Sequence, residues 1–399
     1  MNHTRLHFAF LNVGHFLDHF FMLVFATVAA LVLNREWGLS YAELIPYATP
    51  GFVAFGVFAL PSGWLADKWS RRGMLAVFFI GIGVCSVLSA YAQTPLQIGI
   101  ALFAMGVFAA IYHPVGLPLV IEGRDKTGMP IAINGVWGNL GVGSAALITG
   151  FLIDNAGWRA AFIWPGIFSI AVGLAYIWLI RQMPAPPKTL GAKKKPSAIT
   201  YAGLPLVRIF TIIMLTTALG GIMYQSTTFA LPKVFDERLL NIAGTATLVG
   251  WYAFVVFTVA AFAQLVVGYL VDRHSVRTVF AFVAGLQAVF FAAMYQLSGI
   301  AALVIATAFM LVVFGQIPIN DVLVGRLTAS EWRSRVFACR YIVTFSALAA
   351  SIPMIAWIHA NYGFDRLFIL LAMTGMCVVL LVLMLPRAMP SSAQPAAAE

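Results

Sequence analysis

Long, predominantly apolar runs separated by short polar breaks set the pattern of this chain. Read against charge and turn signals, they predict helices near 8–33, 41–66, 73–93, 96–121, 128–153 and 159–181, then 205–231, 244–270, 276–297, 300–325, 333–360 and 365–386. Each is about as long as the roughly 20 residues that cross a hydrocarbon core. Between the sixth and seventh runs, Pro184, Pro186, Pro187, Lys188, Lys193, Lys194, Lys195 and Pro196 have the composition of a basic linker. The pattern divides the chain into a six-helix bundle at 1–181, a cytoplasmic linker at 182–204, a second bundle at 205–388 and a tail at 389–399 expected to be disordered. The first run is too long for a signal-peptide core and lacks a small-residue cleavage site, so it is expected to stay as helix one.

Composition sharpens this to a class. Of 399 residues, 61% are hydrophobic and only 10% charged, with a mean hydropathy of +0.92. Ordinary soluble domains are about a quarter charged. So little polar side chain cannot cover a surface in water, which excludes a soluble enzyme, a disulfide scaffold and a disordered chain. The expected fold is an all-α membrane protein of twelve transmembrane helices in two pseudo-symmetric six-helix bundles.

The net charge of +10 would point to nucleic acid in a soluble protein. Here no aromatic-rich basic patch accompanies it, so no nucleic-acid partner is expected. With the N-terminus inside, only Arg35, Arg159, Lys233, Arg238 and Arg366 fall outside, leaving 19 of the 24 Lys and Arg on the cytoplasmic side. That bias is the positive-inside rule and places both termini in the cytoplasm. Cys85, Cys339 and Cys377 lie in apolar runs, have no metal-ligand spacing, and read as buried thiols without a disulfide framework.

The two halves repeat each other. Helix 2 ends in Gly63, Leu65, Ala66, Asp67, Lys68, Arg71 and Arg72, and 205 positions on helix 8 ends in Gly268, Leu270, Val271, Asp272, Arg273 and Arg277. The turn Gly157, Trp158, Arg159 recurs as Gly363, Phe364, Asp365, Arg366. The first loop resembles the signature loop of the major facilitator superfamily, and its second copy sits where that superfamily has one. The resemblance implies alternating access between two bundles. In that reading Gly63 lets helix ends approach, Asp67 pairs across the contact between halves, and Arg71 and Arg72 anchor the loop at anionic headgroups. Within the superfamily, His15, Phe16, Leu17, Asp18 and His19 in helix 1, with Tyr112, His113 and Pro114 in helix 4, resemble the fosmidomycin-resistance type of efflux protein.

Asp18 is the sharpest chemical signal. It falls near the middle of helix 1, where an ionised carboxylate costs several kcal/mol unless it is paired or solvated. His15, Asp18, His19 and Met22 stand at i, i+3, i+4 and i+7 and share one helical face. One reading is a proton-titrating site with Asp18 as carrier and a histidine as partner. Another is a polar cluster that packs helix 1. A third is a transition-metal site made of His15, Asp18, His19 and Met22, with His113 approaching from helix 4.

Pro114 removes a backbone donor and should free the carbonyl near Ala110, turning Tyr112 and His113 toward a central cavity or simply kinking the packing. In the second half Tyr224 and Gln225 face the helix 1 cluster by repeat symmetry. Gln316 and Asn320 form a polar face around Pro318, with Asp321 and Arg326 beyond them as a gate pair. Trp137 and Asn139 on helix 5, with Trp251, Tyr252 and Gln264 on helix 8, are further cavity candidates. No catalytic triad or phosphate-binding loop occurs, so neither enzyme activity nor a cofactor is expected.

These residues describe a proton-coupled secondary transporter, a monomer in a bacterial inner membrane. It exports a small organic molecule by proton antiport, through a largely apolar cavity ill suited to strongly anionic cargo. The alternatives are a transition-metal permease using the helix 1 stripe and a non-transporting membrane sensor.

Overall fold

The computed structural model describes residues 3–124, 128–184, 206–327 and 330–385, apart from the side chains of residues 128, 206, 321, 325–327 and 330–338. The basic linker lysines, the tail, and the Asp321 and Arg326 side chains lie outside the described residues. All regular structure described is helical. The first bundle holds α1 (His3–Glu36), α2 (Tyr41–Lys68), α3 (Arg71–Ser89), α4 (Pro95–Ile121), α5 (Gly128–Ala156) and α6 (Ala160–Gln182). The second holds α7 (Leu206–Arg238), α8 (Ala246–Arg273), α9 (Val276–Ala293), α10 (Gly299–Leu327) and the run Ser330–Leu383. That last run turns at Gly363, whose φ of +71° is one that L side chains rarely adopt, and gives two arms, α11 (330–362) and α12 (364–383).

Several starts are fixed by short polar side chains in the otherwise apolar pattern. Ser40 and Glu43 form a reciprocal capping box before α2. Ser70, Thr94 and Thr245 each accept from a backbone N–H three residues on and begin α3, α4 and α8. Within α4 the helix breaks at Ala110 and Ile111, next to the carbonyl to which Pro114 cannot donate.

The packing repeats as the sequence does. In the first bundle α1 lies on α5, α2 on α4 and α3 on α6; in the second α7 lies on α11, α8 on α10 and α9 on α12. One tie repeats with its charges exchanged. Glu36 at the end of α1 takes Arg159 (3.2 Å) and the Trp158 indole N–H (2.7 Å), whereas Arg238 at the end of α7 takes Asp365 (2.6 Å).

Cross-half contacts crowd the end away from the signature loop. There α5 presses on α8: a Cβ on Gly150 would strike the Ala246 carbonyl, and one on Gly250 would strike the Ala146 carbonyl. The Asp154 carboxylate accepts from the backbone N–H groups of Ala246 (3.3 Å) and Thr247 (2.7 Å) and from the Thr247 hydroxyl, so an acid of one bundle caps a helix of the other. Tyr41 stacks edge-on against His359, which is 2.9 Å from Glu237.

The signature loop is held differently from the expectation. Asp67 pairs with Arg71 of its own loop at 2.8 Å, and among the described residues no ion pair joins it to the other half, while Gly63 lets α2 approach Pro114 of α4, where a Cβ would stand 3.2 Å from the proline ring. Arg72 donates to the Pro184 carbonyl (2.8 Å) and faces Glu122 at 3.9 Å. In the second copy Arg277 donates to the Leu383 carbonyl (2.7 Å) and Arg273 lies over the Tyr269 ring. Of the cysteines only Cys85 is buried; Cys339 and Cys377 are exposed, because an apolar run facing lipid needs no protein cover.

Replacing Asp154 with Ala should weaken closure of this end by about 1–2 kcal/mol, the scale of losing a helix cap. Spin labels at the exposed Asn155 and Leu240 should then report longer and broader distances than in the wild type; an unchanged distribution would show that the cap does not hold the halves together.

Candidate functional site

A cavity of about 320 Å³ lies between the bundles, within the range of small-ligand sites. Near the middle of α1, His15 and His19 reach it one turn apart, and His113 meets them from α4 just past its break. A ring nitrogen from each of the three lies within 4.8 Å of the others. Facing them are Tyr224 from α7, Gln264 from α8, Gln316 and Asn320 from α10, and Arg340, Tyr341, Thr344 and Phe345 from α11. Asn139 of α5 and Phe55 of α2 complete the polar and aromatic wall.

Asp18 is not on the cavity surface. It is fully buried, with no hydrogen-bonded partner at either carboxylate oxygen, and its Oδ2 stands 3.3 Å from His113 Nε2. His113 therefore stands between the acid and the cavity. The carboxylate and the imidazole form one polar pair, of which only the histidine reaches the cavity.

Tyr112, expected in the cavity, is buried behind it, because α4 turns one side chain inward and the next toward α1. Its hydroxyl donates to the Leu11 carbonyl (2.7 Å), and its ring stacks on His15 at 4.9 Å. Asn134 of α5 closes this layer. Its carbonyl accepts from His15 Nδ1 (2.7 Å), and its amide donates to Asn12 (3.0 Å) and the Tyr112 hydroxyl (3.0 Å). Gly138 lies over the opposite edge of the His15 ring, where a Cβ would stand 2.7 Å from Nε2.

The other expected residues divide cleanly. His15, His19, His113, Asn139, Tyr224, Gln316 and Asn320 all line the cavity, as does Gln264. Gln316 accepts from Gln287 at 2.8 Å, so its oxygen is satisfied while its amide nitrogen is not. Gln225 is buried in α7 outside the lining, and Trp137 is half-exposed on α5 away from it; each is displaced from the cavity by its register around the helix. Met22 packs against the apolar core and is not among the residues that line the cavity, and Asp18 is buried behind it, so of the stripe of four only His15 and His19 reach the cavity. The histidine spacing would admit one ion, but among the described residues no further acid, cysteine or histidine joins the three.

Sequence reasoning missed Asn134 and Arg340. Arg340 reads as one more base at the cytoplasmic end of the helix predicted over 333–360, yet it lines the cavity. Its signal is local: the aromatics Tyr341 and Phe345 follow it at helical spacing. Among the described residues the lining holds Arg340 and no acidic side chain. The expected apolar character holds for most of the wall, with Arg340 as a charge the sequence reading did not place there.

The profile described as the Major Facilitator Superfamily matches residues 11–243 and 213–399, nearly the whole chain in two overlapping pieces. The chain belongs to the major facilitator superfamily. As a member it is a multi-pass membrane transporter of small molecules. The chain is 23% identical over 389 residues to a gallate transporter of Pseudomonas putida, covering 88% of this chain and 85% of that protein. It is 27% identical over 153 residues to the 4-hydroxybenzoate transporter PcaK of the same organism, covering 38% of this chain but only 34% of that one. The crystal structure of a D-xylose-proton symporter superposes with a TM-score of 0.73 at 15% identity, covering 94% of this chain and 96% of that one, and shares the superfamily fold.

Gly138→Ala should leave the superfamily fold intact and lower transport by about tenfold or more, because the new methyl displaces His15 from its bond to Asn134. Transport and thermal melting measured side by side check this; a variant that transports normally would show that the His15 position is not constrained.

Proposed function

We propose that this transporter moves a small aromatic carboxylate, coupled to protons, across a bacterial inner membrane with both termini in the cytoplasm. The observation that carries the reading is the cavity wall: Arg340 and three histidines set among Phe55, Tyr224, Tyr341 and Phe345. A guanidinium suits a planar carboxylate, and aromatic walls suit a ring. The unpartnered amides of Gln264 and Gln316 add hydrogen-bonding capacity around the cargo. The names of the relatives, gallate and 4-hydroxybenzoate transporters, support this class over the drug-like cargo that the fosmidomycin-resistance likeness implies.

Direction follows from charge. Carrying an anion inward against an inside-negative potential costs about 2.3 kcal/mol per charge per 100 mV, so uptake requires protons to travel with it. The Asp18–His113 pair, one side chain behind the wall, is the group suited to carry them. Export of the same anion would run down the potential and require none. The pair therefore favours symport over the efflux expected from sequence alone. The cavity forms within one chain, which supports a working monomer.

The test is uptake of radiolabelled 4-hydroxybenzoate by proteoliposomes that are acidic outside. Accumulation should collapse with a protonophore. Asp18→Asn should abolish accumulation yet still permit exchange of cargo across the membrane, which moves no net protons. Accumulation that survives in Asp18→Asn would remove the carrier role. Filling only when the inside is acidic would return the antiport direction, and binding of divalent metal in place of any benzoate would return the permease reading.

A further inference from the structure

The proposed cargo class leaves open what distinguishes one aromatic acid from another, and the surroundings of His15 bear on that question. His15 Nδ1 lies 2.7 Å from the Asn134 carbonyl oxygen. A carbonyl only accepts, so Nδ1 carries the hydrogen, and in the neutral ring Nε2 keeps a lone pair. The ring is held on its face as well, stacked on Tyr112 at 4.9 Å and 18°. Tyr112 is itself anchored by its bond to the Leu11 carbonyl and by the Asn134 amide. Neither the plane of the ring nor its tautomer is free to change without breaking this layer.

Nε2 is thus an acceptor fixed in place. It has no hydrogen-bond partner among the described residues, although His15 lines the cavity. Over this edge the facing helix carries Gly138, where any side chain would crowd Nε2. An acceptor kept open in a mostly apolar wall costs free energy unless a bound molecule donates to it. A carboxylate cannot donate; a ring hydroxyl can.

We propose that His15 is a specificity-determining residue, whose Nε2 accepts a hydrogen bond from a hydroxyl on the aromatic ring of the cargo. The assignment rests on the aromatic-carboxylate reading above. The hydroxyl donates to Nε2 while the carboxylate lies toward the positive side of the cavity. Asn134 is a positioning residue, acting through His15 by fixing which nitrogen bears the hydrogen.

The experiment uses the full chain in proteoliposomes and measures exchange of benzoate against the hydroxybenzoate and methoxybenzoate isomers. A methoxy group keeps the oxygen and the approximate size of the substituent but has nothing to donate. In the wild type at least one hydroxybenzoate should be preferred about tenfold over both benzoate and its methoxy counterpart, the scale of one unsatisfied buried acceptor. In His15→Ala the hydroxy-to-methoxy ratio should fall to about one, whatever the absolute rate, and His15→Gln, which retains an acceptor oxygen, should restore part of it. Equal handling of hydroxy and methoxy compounds by the wild type overturns the assignment without requiring any variant to fold. A ratio unchanged in His15→Ala overturns it too. Failure to exchange any benzoate overturns the aromatic-carboxylate reading itself, and the assignment with it.

Discussion

A carboxylic acid shut away from solvent in the first helix is the constraint around which the N-terminal bundle is arranged. Asp18 has no exposed surface, neither of its oxygens has a hydrogen-bond partner among the described residues, and His113 stands 3.3 Å away. Leaving such a group charged and alone in a low-dielectric interior costs several kcal/mol. Its charge is therefore tied to its neighbour, and the neighbour faces the cavity. The break in α4 beside Pro114 brings His113 to this position, so a backbone donor lost at one residue sets where the histidine meets both the acid and the cavity.

The second bundle supplies what the first lacks. It brings Arg340, the amides of Gln264 and Gln316, and most of the aromatic wall. Both halves thus line the one cavity, the first with its histidines and the second with Arg340 and the amides. Their meeting depends on the contact of α5 with α8, where glycine allows backbone to touch backbone and Asp154 caps the partner helix. Movement of one half against the other changes the relation of His113 to Arg340, which is how occupancy of one side can be felt at the other.

Much of this was legible before any coordinates. Run length gave the helices, because a span in lipid has a fixed minimum length, and the duplicated loop gave the repeat. Asp18 and the histidines announced themselves because ionisable side chains are rare in such runs. What stayed hidden depends on which way a residue faces. Gln225 and Tyr224 are neighbours in sequence, yet only Tyr224 reaches the cavity. Asn134 acts largely through its backbone carbonyl, which no side-chain pattern can reveal. Arg340 was hidden by its basic neighbours: the helix was expected to run past it, but an arginine two turns into a span among other bases counts as a charge of the cytoplasmic end. The exposed Cys339 and Cys377 teach the same lesson from the lipid side: in a membrane protein an apolar run does not imply burial in protein.

The central claim is that Asp18 and His113 exchange a proton with the occupied cavity. Its most direct test is the proton taken up or released when 4-hydroxybenzoate binds to the purified protein in weakly buffered detergent, followed with a pH indicator. The account predicts a measurable proton exchange for the wild type and none for Asp18→Asn at the same occupancy. An equal exchange in both proteins would contradict it.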